Sequence, residues 1–279
     1  MALLPVAVVA LASARWPRWA FMWVLAAAIL FGFKWLTWRR RPRQRAPIWR
    51  HVSYFLAWPG MDAEAFFDSR LKAATPSVRE WLVAAVRFAV GIALYYGVAR
   101  WMPRDEPYLV GWVGMIGMVM VLHFGAFHLL SCGLRSAGVE ARPLMDRPLA
   151  SVRLADFWGR RWNTAFRDLT HRFLLRPLTR RLGVSGAVFV GFLASGLIHD
   201  VVISFPAGGG YGGPTLFFLL QALGLFAERS KMGRRLGLGA GVRGRLFTFA
   251  FLLLPAPLLF HGPFVTRIIV PFMHVTGAI

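Results

Sequence analysis

The sequence is poor in cysteine and in charged side chains, and each shortage excludes a class of protein. Cys132 is the only cysteine, so an intrachain disulfide and a cysteine-based metal site are both excluded, and the redox compartment cannot be inferred. Only 16% of the residues are charged, whereas a soluble globular domain carries about a quarter. The length of 279 residues would allow one or two soluble domains, but the apolar residues form long uninterrupted runs. These runs exclude a soluble fold.

Long stretches of the chain contain no Asp, Glu, Lys or Arg, namely residues 108–134, 201–227 and 246–266. A helix of about 20 apolar residues crosses the hydrocarbon core of a bilayer. In lipid every backbone polar group must be bonded within the protein, and no stretch shows the alternation of a strand. The sequence therefore predicts an all-α, polytopic integral membrane protein, with one membrane-embedded domain over 1–279. About eight transmembrane helices are expected, at 2–14, 19–36, 81–99, 108–131, 184–205, 214–228, 246–260 and 264–278.

The basic residues, which give a net charge of +21, lie between the apolar runs and not on a polar face. This distribution follows the positive-inside rule and argues against a nucleic-acid partner. It predicts that 34–80, 132–182 and 229–245 are cytoplasmic, although Arg15 and Arg18 depart from the pattern. The richness in Ala, Arg and Gly favours a bacterial inner membrane.

The basic segment 132–182 contains aromatic and aliphatic residues at three- and four-residue spacing, from Leu154 to Leu174. Most of its arginines fall on the other side of a helix drawn through these residues. Trp and Phe on one face with Arg on the other are typical of a helix in the membrane interface. We therefore expect one amphipathic interfacial helix, bracketed by Pro148 and Pro177.

Ionisable residues within apolar spans are few, and His199 with Asp200 is the most prominent pair. Such residues are costly in a membrane and are functional candidates by default. Successive side chains on a helix diverge by about 100°, so His199 shares a face with Ser195 and Asp200 needs another partner. The alternative is structural, with His199 bonded to a backbone carbonyl and Asp200 capping or pairing.

The sequence contains none of the motifs of several enzyme classes. It has no G-x-S-x-G elbow, no H-E-x-x-H and no Walker A motif. It also lacks H-x4-D and H-H-x-x-x-D-G. A covalent Ser or Cys mechanism and a resident metal therefore have no support in the sequence.

Two blocks resemble wax synthases, a branch of the membrane-bound O-acyltransferase (MBOAT) superfamily. Residues 147–163 read RPLASVRLADFWGRRWN, and the part from Asp156 to Asn163 is highly specific. The stretch Ser195-Gly-Leu-Ile-His199-Asp200 is similar to the family's Ser-Gly-x-x-His-Glu, with Asp200 in place of the more common Glu. The resemblance covers about residues 110–275, and the N-terminal part carries no signature.

The resemblance implies transfer of an acyl group from acyl-CoA, as co-substrate, to the hydroxyl of a lipophilic alcohol. His199 would be the general base, since an imidazole with an ordinary pKa near 6.5 suits that task, and Asn163 would stabilise the oxyanion. Arg160 and Arg161 are the first candidates for the phosphates of coenzyme A, although lipid headgroups are an equal alternative for them. Residues expected to support the site are Asp200, Ser195, Asp156 and Trp162.

Other functions remain open at this point. A proton-coupled transporter could use His199 and Asp200 as a relay, although no inverted repeat is visible. An O-acetyltransferase acting on a terpenoid or sugar hydroxyl and an inactive multipass scaffold are further alternatives. Beyond acyl-CoA and the alcohol, the expected partners are membrane lipids. No bound cofactor is expected.

Overall fold

The computed structural model describes residues 3–11, 16–42 and 45–279. Throughout these ranges the regular structure is helical and no strand occurs, as predicted. The helices long and apolar enough to cross a membrane are Arg18–Arg40, Val78–Trp101, Pro107–Ser136, Thr164–Ala207 and Gly241–Leu259. The prediction of an all-α integral membrane protein is thus confirmed.

The predicted number of eight transmembrane helices is not confirmed. Within the described ranges five helices meet the length and hydropathy needed, and Gly262–Val275 is apolar but shorter. Gly213–Arg229, at the predicted 214–228, has 17 residues. Leu3–Leu11 is helical, whereas residues 2 and 12–14 of the first predicted helix, and Arg15 beside it, lie outside the described residues.

The remaining helices are short and connect the long ones. They are Ile48–Val52, Ser53–Ala57, Ala63–Phe67, Pro148–Ala150, Leu154–Asp156, Phe157–Arg161 and Lys231–Arg235. Contacts within the chain define two compact units, Met1–Met145 with Ile269–Ile279, and Asp146–Ile268. The prediction of one domain over the whole chain stays a prediction.

Two charged side chains of the first unit, the buried Lys34 and the partly exposed Glu80, bind partners within the unit. Lys34 is fully buried, and its ammonium group donates to the Gly60 carbonyl at 2.7 Å and lies 3.6 Å from the ring centroid of Tyr54. Glu80 accepts from Arg135 and pairs with His128 Nε2 at 3.0 Å, which joins two long helices. The buried charge of Lys34 is therefore satisfied within the protein, as burial requires, and Glu80 links two helices at their ends.

The segment between Pro148 and Pro177, in the second unit, is not the single amphipathic helix predicted. Helical structure ends after Phe157–Arg161 and resumes at Thr164 because Asn163 is left-handed, with φ 44° and ψ 63°. Asparagine tolerates this conformation better than most residues. Its Oδ1 accepts from the Phe166 amide at 3.2 Å and caps the new helix, which continues past Pro177.

A helical hairpin dominates the second unit. Gly183, with φ 68° and ψ 176°, interrupts the helical stretch Thr164–Ala207 and divides it into a first arm, 164–182, and a second arm, 184–207. A left-handed φ favours glycine, which has no Cβ. The arms run antiparallel: Leu175 lies opposite Gly191, and the rings of Phe166 and His199 have centroids 6.4 Å apart. Residues equally distant from Gly183 thus face each other.

Helix Gly213–Arg229 packs closely against the second arm. A Cβ added to Gly196 would lie 2.6 Å from the Thr215 Cα, so the close approach requires glycine. Further along, the rings of His199 and Phe218 have centroids 4.5 Å apart. A buried cluster of Leu154, Phe157, Leu225 and Leu252 holds the helix to its neighbours. Together the hairpin and this helix bring distant parts of the sequence around one space.

Candidate active site

A cavity of about 220 Å³ lies inside the second unit. Its walls come from the segment 155–163, both arms of the hairpin and helix Gly213–Arg229. Most lining side chains are apolar or aromatic, with a few polar groups among them, a composition typical of ligand sites. The lining residues are Ala155, Trp158, Gly159, Trp162, Asn163, Phe166, Arg167, Thr170, Leu175, Val188, Gly191, Phe192, Ser195, His199, Phe218, Leu225 and Arg229.

The cavity is elongated, and its length can be read from two helices. On the second arm the lining residues run from Val188 to His199, and on helix Gly213–Arg229 they run from Phe218 to Arg229. Each run covers eleven residue steps, or about 16 Å at the helical rise. Since His199 and Phe218 are in contact, the lining starts at the same level on both helices and extends from there to Val188 and Arg229.

His199 lies where this lining starts and is oriented by its own helix. Its Nδ1 is 2.7 Å from the Ser195 carbonyl oxygen. A carbonyl can only accept, so Nδ1 carries the proton and Nε2 carries the lone pair of the neutral ring. The predicted shared face of His199 and Ser195 is thus present. Ser195 acts through its carbonyl, because its hydroxyl donates to the Gly191 carbonyl at 2.9 Å.

Asn163 lines the same cavity as His199, although 36 positions separate them in the sequence. Its Oδ1 accepts from the Phe166 amide, and Nδ2 is the donor side of the amide. The structure therefore brings the two predicted catalytic residues to one space. It also presents an acceptor nitrogen on one residue and a donor nitrogen on the other.

Asp200 faces away from this cavity and binds the start of helix Gly213–Arg229. Its Oδ1 accepts from the Ser204 hydroxyl at 2.8 Å and from the Gly212 amide at 2.9 Å. Its Oδ2 accepts from the amide of Thr215 at 3.1 Å and from the Thr215 hydroxyl. The partner that Asp200 was expected to need is thus a helix N-terminus, where a carboxylate is stabilising.

His261 extends this network. It lies in the turn after Leu259, and its Nε2 is 3.1 Å from the Ser204 hydroxyl. The His261 Nδ1 accepts from the Phe264 amide, so Nε2 is the donor. Burial lowers the pKa of His261, although the charge of Asp200 opposes this effect. A neutral His261 therefore joins the turn to the end of the second arm.

Asp156, Arg160 and Arg161 form an ion-pair cluster beside the cavity but outside its lining. Asp156 pairs with Arg160 at 2.6 Å and with Arg161 at 2.5 Å. Burial raises the pKa of the Asp156 carboxyl, but the hydrogen bonds from Arg161 and Arg160 outweigh burial and leave the pKa below its ordinary value. The Arg161 side chain is 21% exposed and also donates to the carbonyls of Asp146 and Arg147, whereas that of Arg160 is 77% exposed.

Arg167 and Arg229 line the cavity and were not singled out in the sequence. Arg167 follows Asn163 by four residues, a helical spacing that could have identified it. No comparable signal marks Arg229, which reaches the cavity only because helix Gly213–Arg229 packs on the hairpin. Trp162, predicted to support the site, lines the cavity and stacks on Phe157 with ring centroids 5.4 Å apart.

Comparison with known proteins bears on this same region. Residues 141–220 match the family described as "Membrane bound O-acyl transferase family". The matched segment contains both sequence blocks and both arms of the hairpin. No solved structure matches the chain.

The curated relatives that match this chain are named as O-acyltransferases. A "Long-chain-alcohol O-fatty-acyltransferase" of Simmondsia chinensis is 39% identical over 72 residues, 23% of this chain and 20% of the relative. The "Probable long-chain-alcohol O-fatty-acyltransferase 7" of Arabidopsis thaliana is 31% identical over 140 residues, 44% and 40% of the two chains. An Arabidopsis "Acyl-CoA--sterol O-acyltransferase 1" is 30% identical over 71 residues, 23% and 21%. The chain spans two fifths or less of the length of these relatives.

Proposed function

We propose that this chain, which belongs to the membrane-bound O-acyltransferase superfamily through residues 141–220, transfers an acyl group from acyl-CoA to the hydroxyl of a lipophilic alcohol. One observation carries the proposal. A histidine with an available acceptor nitrogen and an asparagine with a donor amide line one largely apolar cavity. In ester formation from a thioester, the acceptor nitrogen can take the hydroxyl proton, and the amide can stabilise the negative oxygen of the intermediate.

The proposed reaction begins with proton transfer from the alcohol. His199 Nε2 accepts the hydroxyl proton while the alcohol oxygen attacks the thioester carbonyl carbon. The new C–O bond gives a tetrahedral intermediate with a negative oxygen. When that intermediate collapses, the C–S bond breaks, and the departing thiolate of coenzyme A takes the proton back from His199. The sum is ester plus free coenzyme A, without an acyl-enzyme.

Asn163 and the aromatic walls supply the other requirements. The Asn163 amide donates to the negative oxygen of the intermediate, a contribution typically worth about 2.7–4 kcal/mol of barrier. Walls that include Trp158, Phe192 and Phe218 keep water from the thioester and so prevent hydrolysis. The Trp158 indole is held by the buried Gln221 side chain at 3.3 Å, which fixes one of these walls.

The phosphates of coenzyme A need cationic partners. Arg160 remains a candidate because its side chain is mostly exposed, and Arg167 joins it because it lines the cavity. Arg161 suits this role less, since its donors are engaged with Asp156 and two backbone carbonyls. We assign Arg161 to holding the segment 146–161 together.

The transporter alternative gains no support from the contacts of Asp200. All four of its hydrogen bonds come from Ser204, Gly212 and Thr215, so Asp200 and His199 do not form a relay pair. Among acyl transfer reactions, the names of the relatives favour long-chain alcohols and include a sterol. Transfer of an acetyl group to a terpenoid or sugar hydroxyl remains the second proposal for the same site.

We further propose that the basic segments 34–80, 132–182 and 229–245 face the cytoplasm, which would place the donor site on that side. The relatives are plant proteins and lend no support to a bacterial inner membrane. Single cysteines introduced at 229–245 and at 206–213 should react with impermeant reagents from opposite sides of sealed vesicles. Reaction of both segments from one side would overturn this orientation.

Acyl transfer itself is tested with purified protein in lipid vesicles, labelled palmitoyl-CoA and hexadecanol. We expect labelled ester to accumulate with the wild type. Decanol, a sterol and acetyl-CoA in place of the respective substrates then define the acceptor and donor classes. Absence of ester with every pair would refute the proposed function.

A further inference from the structure

Gly191 is a buried glycine whose missing side chain is not explained by packing. A Cβ at this position would meet only Leu175 Cδ2, at 3.5 Å, which is an ordinary contact. Two helical glycines of the unit that lie outside the cavity lining differ: a Cβ at Gly196 would lie 2.6 Å from backbone, and one at Gly224 would lie 2.5 Å from the Phe251 ring, whereas Gly159, which lines the cavity as Gly191 does, also has open space at its Cβ position. Gly191 also has no left-handed φ.

Glycine within a helix costs about 0.5–1 kcal/mol relative to alanine. At Gly191 neither backbone conformation nor close approach of a neighbour offsets this cost. What the glycine does provide is space, because Gly191 lines the cavity. A side chain at this position would narrow the cavity, so the glycine keeps room there for a ligand.

The position of Gly191 indicates the chemistry of that ligand. Gly191 lies eight residues before His199 on the same face of the second arm, or about 12 Å along the helix. The side chains around it, Leu175, Val188 and Leu225, are apolar. His199 lies at one end of the lining and Arg229 at the other, so the apolar stretch between them suits a hydrocarbon chain.

We infer that Gly191 determines the length of hydrocarbon chain that the cavity accepts. This inference rests on the proposed function and adds a residue that controls specificity. A chain shorter than about 12 Å, measured from the reacting carbon, ends before Gly191, whereas a longer chain passes over it. Any side chain at position 191 would occupy the path of the longer chain and leave the shorter one undisturbed.

The test compares Gly191→Ala and Gly191→Leu with the wild type in lipid vesicles. The matched control is Gly97→Leu, which makes the same change in a helix of the first unit where a Cβ meets nothing within 4 Å. In one arm, butyryl-CoA to stearoyl-CoA are varied with hexadecanol fixed. In the other, hexanol to octadecanol are varied with palmitoyl-CoA fixed. The arm whose length dependence changes identifies whether the donor or the acceptor supplies the chain.

We expect Gly191→Leu to lower kcat/KM for the longest chains about tenfold or more relative to the shortest, since one misfitted methylene has an effect of that size. Gly191→Ala should act in the same direction but less, and Gly97→Leu should have no effect on length. An equal loss for all chains, or no change, would overturn the inference.

A measurement without turnover separates this inference from the proposed function. The rise in Tm caused by each saturating acyl-CoA and alcohol reports binding alone. If the wild type makes no ester but Gly191→Leu still removes the Tm rise from long chains only, the function is wrong and the role of Gly191 stands. If Gly191→Leu leaves the length dependence of the Tm rise unchanged, the role of Gly191 is refuted, whether or not ester forms.

Discussion

His199 and Asp200 are adjacent in the chain, yet they belong to two regions with different properties. His199 faces a cavity, and one nitrogen of its ring is left for a ligand. Asp200 faces a network in which both carboxylate oxygens are bound by the protein. The difference follows from helix geometry, because neighbouring side chains diverge by about 100°. One turn of helix thus contributes both to the proposed active site and to the contact that holds helix Gly213–Arg229 against it.

The two regions are coupled through helix Gly213–Arg229. Asp200 binds the N-terminal amides of this helix, and the same helix contributes Phe218, Leu225 and Arg229 to the cavity. A change at Asp200 should therefore act through stability and cavity shape, whereas a change at His199 should act on the chemical step. The predictions below test this separation.

The largest effect is expected for His199→Ala. Loss of the general base should lower kcat about 10²- to 10⁴-fold, while Tm and the binding of acyl-CoA stay close to those of the wild type. Steady-state kinetics and thermal unfolding in detergent check both parts. His128→Ala provides a control, since His128 belongs to the first unit and pairs with Glu80. Near-normal turnover by His199→Ala would remove the catalytic assignment.

Asn163 should show the next largest effect, and two variants separate its two roles. Asn163→Ala loses the amide donor and the helix cap, so kcat should fall about 10²- to 10³-fold and stability by about 0.5–2 kcal/mol. Asn163→Asp keeps an oxygen to accept from the Phe166 amide and tolerates the left-handed conformation. It should therefore keep its Tm but lose activity as severely. Recovery of activity in Asn163→Asp would show that the cap alone matters.

Asp200→Asn should lower stability more than turnover, the opposite of the effect expected for His199→Ala. The NH2 group of Asn would meet donors where one carboxylate oxygen accepted, so at least one backbone amide, of Gly212 or Thr215, loses its acceptor. A hydrogen bond to a charged group is worth about 1.5–3 kcal/mol, so Tm should fall clearly, with a smaller loss of kcat. Asp200→Glu keeps the charge and should be the milder change. A full loss of kcat at unchanged Tm would place Asp200 in the reaction instead.

Arg160 and Arg161 should differ, although they are adjacent and pair with the same carboxylate. Arg160→Ala should leave Tm unchanged, because an exposed ion pair contributes little, and should raise KM for acyl-CoA about tenfold or less. The KM of Arg160→Ala for acyl-CoA should also depend less on salt concentration than the KM of the wild type. Arg161→Ala should lower Tm by removing bonds to Asp156 and two carbonyls. Equal behaviour of both variants would mean that neither binds phosphate.

The dependence of Tm on pH in the acidic range tests the ion pairs that Asp156 makes with Arg160 and Arg161. Because the folded pKa of Asp156 lies below its ordinary value, its ion pairs stabilise the fold above that ordinary value. The stabilisation is lost as the pH falls through the folded pKa. Asp156→Asn should therefore lower Tm at neutral pH and flatten the fall of Tm on the acidic side, and the two proteins should converge below the folded pKa.

The amino-acid sequence by itself determined the membrane character of the protein, its helical class and the two blocks on which the proposed chemistry rests. Apolar runs of this length need helices in lipid, and the residue types in the blocks fix what reactions are accessible. It also placed His199 on the face of Ser195, since that relation depends only on the period of one helix. Such inferences succeed because they concern local geometry.

The tertiary structure decided what local geometry cannot reach. Asn163 ends a helix where the pattern of apolar residues predicted continuity, and Gly183 folds the chain back so that Asn163 meets the cavity of His199. The partners of Asp200, the entry of Arg229 into the cavity and the space at Gly191 all follow from packing between helices. Periodicity assigns side chains to faces of a helix. Which faces meet depends on turns set by single residues and on contacts between segments distant in the chain.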